Sequence, residues 1–267
     1  MFVTFLSDFG LQDDFVGTCH GVIKRIAPDA EVIDITHGIP PRAVVQGALV
    51  LANTVAYMPQ GVHLAVIDPG VGGPRRALAL TDRDGRSYVG PDNGLLLPAA
   101  ERAGIAEAHE IVNPAYALET VSRTFHGRDI FAPAAAHLAN GVPLSELGPP
   151  IDPSALVRLE LAEPELRAHR IDATVLYVDA FGNIQLNLTR AHLEQAQLPA
   201  GARVELELGG TRYYAVAART FSDARAGDLI LYEDSYGNIA VAMNRGSAAD
   251  MLVASPGQSL RINLNAP

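Results

Sequence analysis

The chain has 267 residues, 48% of them hydrophobic and 19% charged, with 20 Lys and Arg against 30 Asp and Glu. That length suits one large domain or two smaller ones, and that composition belongs to a globular protein with a sizeable core. A net charge of −10 argues against nucleic acid and anionic membranes as partners, since both demand a basic face. The single cysteine, Cys19, excludes an intrachain disulfide and a thiolate metal cluster, and its apolar helical neighbourhood reads as inert packing. The sequence opens without a basic stretch and cleavage site. Its longest apolar run, residues 43–58, is broken by Gln46, Gly47 and Asn53. A cytoplasmic protein is therefore expected.

In chain order, residues 2–6 read as a strand, 14–26 as an amphipathic helix stopped by Pro28, and 31–35 as a second strand. Residues 42–58 read as an apolar helix closed by Pro59-Gln60-Gly61, and 62–67 as a third strand. This βαβαβ rhythm predicts a parallel sheet with helices on its faces. Residues 87–89 form a further strand running into the turn Gly90-Pro91-Asp92-Asn93-Gly94, and 129–138 a helix stopped at Asn140-Gly141. Pro143, Pro149, Pro150, Pro153 and Pro164 then mark a boundary, dividing residues 1–160 from 161–267. Beyond it the periodicity is two, in seven short strands at 173–178, 184–188, 204–208, 212–216, 229–232, 239–243 and 260–263. Together these predict an N-terminal, mostly parallel α/β sheet domain followed by a smaller C-terminal barrel-like or sandwich domain.

The chemistry-bearing residues cluster at predicted strand ends. Val66-Ile67-Asp68-Pro69-Gly70-Val71-Gly72 ends the third strand in a carboxylate and a rigid loop, with Arg75 seven residues after Asp68. In parallel α/β sheets ligands sit outside the carboxyl ends of strands. Asp8 follows the first strand in the same way and is placed to accept the hydroxyls of a ribose. No Gly-x-Gly-x-x-Gly opens the next helix, so a pyrophosphate cradle is not expected. Asp14 reads as a helix cap. His126, in Thr124-Phe125-His126-Gly127-Arg128-Asp129, stands at a helix entrance beside a glycine that permits close approach. His20 and His37 have no comparable setting. Asp8, Asp13, Asp68 and His126 could converge as hard metal ligands, but no His-x-x-x-His or His-Glu-x-x-His spacing supports a metal. The second half contains an echo: Asp179-Ala180-Phe181-Gly182-Asn183-Ile184 against Asp234-Ser235-Tyr236-Gly237-Asn238-Ile239. Gly-Asn supplies turn positions and leaves an aromatic at a rim. This is either barrel pseudo-symmetry or a pair of stacking faces for a planar ring.

Taken in order, Thr4–Gly10, Asp13-Asp14, the Asp68 loop, Gly90–Gly94, Thr124–Asp129, Phe181-Gly182-Asn183 and Ser235–Asn238 are similar to the S-adenosylmethionine (SAM) hydroxide adenosyltransferases. That family hydrolyses SAM to adenosine and L-methionine, and it is related to the SAM-dependent fluorinase and chlorinase. The resemblance implies an α/β domain, a β-barrel, and a homotrimer with sites where subunits meet. It implies Asp68, Arg75 and His126 as the water-activating trio and Asp8 on the ribose. Asp13 and Asp179 would meet the methionine ammonium. Phe181, Asn183, Asn244 and Arg245 would surround the adenine, with Ser235 and Tyr236 near the methionine carboxylate. It implies no metal and no cofactor, SAM being the substrate. The halogenases carry a Tyr or another non-acid where Asp68 stands, so Asp68 favours water over halide as the nucleophile. Phe15 stands where the fluorinase uses a Ser on methionine, and that contact does not carry over. The rival readings are a chlorinase-like halogenase and a non-catalytic nucleoside or SAM sensor.

Overall fold

In the computed structural model, which describes residues 1–264, the chain divides into two units, Met1–Leu159 and Glu160–Pro267. The last three residues of the predicted second domain thus lie outside the described residues. The first unit runs β1 (Phe2–Ser7), α1 (Phe15–Ile26), β2 (Glu31–Thr36), α2 (Val44–Thr54), β3 (Gly61–Val66), β4 (Ala77–Asp82), β5 (Ser87–Pro91), α3 (Leu97–Ala100), β6 (Ile105–Glu110) and α4 (Ala132–Ala139). Its sheet has the order β2-β1-β3-β5-β4-β6. β2, β1, β3 and β5 are parallel, and β4 runs antiparallel to both its neighbours. Strand side chains alternate between two cores, as a sheet covered on both faces requires. Val3 and Phe5 pack with Cys19 and Ile23 of α1 and with α4, while Leu6 faces Leu51 of α2 and Leu97. Burial pushes the Cys19 thiol up to about 12, so it is inert packing.

Two helices differ from expectation. The apolar helix begins at Val44 rather than at residue 42 because Arg42 is left-handed (φ 69°), its N–H donating to Asp8 Oδ2 at 2.8 Å. The other opens with a wide π-turn over Gly127–Phe131 before α4. Pro133 has no N–H to give Asp129, whose carbonyl is taken by Leu118 N–H at 2.8 Å instead.

The second unit contains β7 (Glu165–Arg167), β8 (Arg170–Val178), β9 (Ile184–Thr189), α5 (Arg190–Gln195), β10 (Arg203–Leu208), β11 (Thr211–Ala217), β12 (Leu229–Glu233), β13 (Asn238–Met243), α6 (Ala248–Leu252) and β14 (Ser259–Asn263). Pairing of β14 with β8 closes the ring β14-β10-β11-β12-β13-β9-β8, and β7 adds to β8 outside it. A closed ring makes this a barrel rather than a sandwich, and it removes the exposed edges that short strands otherwise present. One pair, β11 with β12, is parallel. Ile171, Val175, Leu186, Val241 and Leu260 fill the interior.

Candidate active site

The chain leaves β3 at Val66, and two residues later Asp68 turns back toward its own loop. Arg75 Nε lies 3.0 Å from each Asp68 oxygen, and Arg75 Nη2 also bonds Oδ2. The pair is nearly enclosed, with side-chain exposures of 7% for Asp68 and 12% for Arg75. Gly72 makes the turn possible. Its φ is +75°, and a Cβ there would lie 2.3 Å from the Arg123 carbonyl oxygen. The Arg75 guanidinium also rests over the Phe131 ring, 5.0 Å from its centroid.

Arg75 Nη2 reaches His126 Nδ1 at 2.8 Å. A guanidinium only donates, so Nδ1 accepts and the proton of the neutral ring sits on Nε2. Burial, then the nearby Arg75 charge, hold the His126 pKa below its ordinary value, outweighing Asp68, Asp129 and the Ser122 main chain. The imidazole is therefore neutral near pH 7. The loop presenting it is locked by Asp129, which is fully buried. Asp129 accepts from Arg128 Nε at 2.5 Å and from Ser122 N–H at 2.8 Å. Burial pushes the Asp129 pKa up, but these hydrogen bonds and the Arg128 charge prevail and hold it low. The loop motif was visible in the sequence; this lock was not.

Asp8, Phe9, Arg42, Asp68, Phe125 and His126 line one cleft of about 90 Å³ at the carboxyl ends of β1 and β3. At about 30 Å³ per water, that is room for a few solvent molecules beside the carboxylates. Phe9, Phe15 and Phe125 form a ring cluster next to it, Phe15 and Phe125 meeting edge-on at 5.1 Å. Asp13 lies in the exposed turn before α1. Asp14 occupies the N-cap position of α1 without capping it; its Oδ2 accepts from the Thr18 hydroxyl at 3.0 Å instead. Of the metal candidates Asp8, Asp13, Asp68 and His126, Asp68 has both oxygens and His126 its Nδ1 hydrogen-bonded to Arg75.

In the second unit the echo becomes a pair of matching loops. Asp179 Oδ1 accepts from Phe181 N–H at 2.8 Å and Asn183 N–H at 2.9 Å; Asp234 Oδ1 accepts from Tyr236 N–H at 2.8 Å and Asn238 N–H at 2.9 Å. Asp179 Oδ2 also takes Asn183 Nδ2 at 2.8 Å. Gly182 and Gly237 turn at φ 79° and 84°. Phe181 is left 81% exposed and Tyr236 47% exposed, with Ser235 beside it on the surface. Ala249 N–H donates to the Gly182 carbonyl at 2.9 Å, and this joins the Phe181 loop to the segment carrying Asn244 and Arg245. Asn244 Nδ2 holds the Ala224 carbonyl at 2.8 Å, and Arg245 is left-handed (φ 64°) at an exposed turn. A larger hollow, about 580 Å³, lies on the barrel beside Arg190, Tyr232 and Asp234. None of the predicted site residues lines it, and size alone does not make it the reaction centre.

An α/β sheet with a carboxylate–guanidinium–imidazole trio at a strand end, followed by a closed barrel with rim aromatics, defines a two-unit enzyme scaffold. The SAM hydroxide adenosyltransferase N-terminal domain model matches residues 3–148, and the C-terminal domain model matches residues 173–261. The chain belongs to the SAM hydroxide adenosyltransferase family. It is 52% identical to the (R)-S-adenosyl-L-methionine hydrolase of Salinispora arenicola over 97% of each chain, and 42% identical to that of Thermus thermophilus over 97% of this chain and 98% of the other. It is 30% identical to the fluorinase of Nocardia brasiliensis over 98% of this chain and 96% of that one. A crystal structure described as an uncharacterized conserved protein from Thermotoga maritima has the same fold, with a TM-score of 0.90 at 36% identity. That likeness covers 98% of this chain and 99% of the other.

Proposed function

We propose that this chain is a SAM hydrolase, cleaving S-adenosyl-L-methionine to adenosine and L-methionine by attack of water at C5′. The observation that carries this reading is the preassembled Asp68–Arg75–His126 trio beside Asp8, in a chain of this family. The names of the relatives specify the R configuration at sulfur, and we extend that preference to this chain.

The sulfonium makes C5′ electrophilic and departs as a neutral thioether, so no general acid is needed. The task is to hold a water in line with the C5′–S bond and to receive its proton, contributions worth about 10²–10⁴-fold for the proton transfer alone. A carboxylate is a weak base toward water. It suffices when the proton leaves late, because the oxygen newly bonded to C5′ is an oxonium and strongly acidic. Asp68 then orients the water and accepts that proton. Arg75 fixes the carboxylate, and neutral His126 fixes Arg75. The same negative charge repels halide.

Asp8 holds the ribose hydroxyls, while Asp13 and Asp179 face the ammonium of the methionine moiety. Phe181, Asn183, Asn244 and Arg245 receive the adenine, the last through its main chain, and Ser235 and Tyr236 lie near the carboxylate. Rigid loops that leave large aromatics in solvent favour this role, since exposed rings on a fixed turn are ready stacking faces. Following the family resemblance, the enzyme is a cytoplasmic homotrimer with sites completed at subunit interfaces. It needs no metal or cofactor for the reaction and engages neither nucleic acid nor membrane. No helix among the described residues is long and apolar enough to cross a membrane.

Incubation with SAM in chloride buffer, followed by chromatography, tests the reading. Adenosine and methionine in equal amounts are expected. 5′-Chloro-5′-deoxyadenosine would make the protein a halogenase, and unconsumed SAM would make it a sensor.

A further inference from the structure

Away from the cleft, at the edge of the first sheet, three side chains converge that the reaction does not use. His20 comes from α1, Asp34 from the edge strand β2, and His37 from the turn after it. His20 Nε2 lies 2.8 Å and His37 Nε2 3.1 Å from the same oxygen, Asp34 Oδ1, and all three atoms fall within 4.8 Å of one another. We propose that His20, Asp34 and His37 form a binding site for a divalent transition-metal ion of the zinc, cobalt or nickel class, one that fastens β2 to α1 behind the Asp8 loop.

The His37 ring carries the argument. Its side chain is 2% exposed, and its buried Nε2 makes no hydrogen bond although it faces Asp34 Oδ1. Its other nitrogen, Nδ1, lies 2.7 Å from Ser7 Oγ. With the ring proton on Nδ1 and donated to Ser7, the Nε2 lone pair points at a carboxylate oxygen, an arrangement that a cation between them resolves. A hydrogen-bond partner on the remote ring nitrogen is how ligating histidines are commonly oriented.

Two imidazoles and one carboxylate suit zinc and its neighbours rather than magnesium or calcium, which prefer all-oxygen shells. At bond lengths near 2.0–2.1 Å a tetrahedral shell spaces its donors about 3.4 Å apart, so the two imidazole–carboxylate separations of 2.8 and 3.1 Å would open by roughly half an ångström or less to admit an ion. Phe5 backs the site, its ring 4.7 Å from that of His37 and 6.1 Å from that of His20. Asp34 and His20 are 40% and 32% exposed, which leaves a solvent approach and room for water ligands. The His37 carbonyl accepts from Gly10 N–H at 2.8 Å. An ion here therefore braces the segment that displays Asp8 without touching the reacting atoms.

The test is titration of tag-free, chelator-stripped protein with Co²⁺, read by visible absorption, calorimetric stoichiometry and melting temperature. One Co²⁺ per chain is expected, with ligand-field bands and a Tm that rises with ion concentration. H20Q and D34N, both on the solvent side, should each weaken Co²⁺ binding at least tenfold and abolish the Tm rise while leaving SAM turnover unchanged. Failure of the wild-type protein to bind Co²⁺ would overturn the proposal. So would equal binding by the wild-type protein and both variants, which would mark the other histidines as the ligands.

Discussion

Asp68 and Asp179 are both aspartates at loop entrances with both oxygens engaged, yet their partners differ in kind. Asp179 is held by amides of its own loop, from Phe181 and Asn183, so its carboxylate shapes the turn. Asp68 is held by a guanidinium seven residues away, itself tied to His126 51 residues further on. Local amide bonds give a rigid platform. A remote ionic chain instead gives an anion whose position depends on two separate segments, the β3–β4 loop and the loop that carries His126. Chemistry is expected from the second arrangement and binding from the first.

Arg75→Ala tests the ionic arrangement most severely. It strips the Asp68 carboxylate of its cation and His126 of its donor in a nearly enclosed setting, where breaking one side of a pair costs about 3–5 kcal/mol. Turnover should fall on the order of 10²–10⁴-fold, and denaturant unfolding should show the loss of stability.

Acid should loosen the first unit next. His63 is fully buried, and burial followed by the Arg86 charge lowers its pKa to about 4. A folded pKa below the unfolded one means that its contribution is present above pH 6.5 and is lost as pH falls toward and below 4. Each tenfold drop in proton affinity on folding corresponds to about 1.4 kcal/mol, so the loss is roughly 3 kcal/mol, measurable as a pH-dependent Tm that flattens in His63→Gln. His126, also lowered, should give kcat/KM an acid limb below pH 6.5. Protonated Nδ1 can no longer accept from Arg75.

The amide-held arrangement should respond less. Asp179→Ala leaves the amides of Phe181 and Asn183 without their acceptor in a partly solvated loop, for about 1–2 kcal/mol. Its kinetic effect should appear mainly in KM. A kcat loss as large as that of Arg75→Ala would erase the distinction between the two loops.

Much of this was legible in the chain. The βαβαβ rhythm placed β1, α1, β2 and β3 because apolar periodicity there is clean, and the strand-end rule pointed to Asp8 and Asp68. β4 and β6 were hidden. Ala77–Asp82 and Ile105–Glu110 are rich in Ala, Leu and Glu, helix formers that pairing with strand neighbours overrides. His126 stood out beside Gly127, but the Asp129 lock behind it depends on a loop path that no spacing encodes. The echo announced two matching turns without revealing that Asp179 and Asp234 are their anchors. His20, Asp34 and His37 looked unrelated because only the packing of α1 beside β2 brings them together.

The most direct measurement is the single-turnover rate of Asp68→Asn with SAM bound at saturation. The substitution keeps the size of the side chain and removes its charge. A rate at least ~10²-fold below wild type, with SAM affinity retained, is the predicted result. A wild-type rate would contradict the assignment of water orientation and proton acceptance to Asp68.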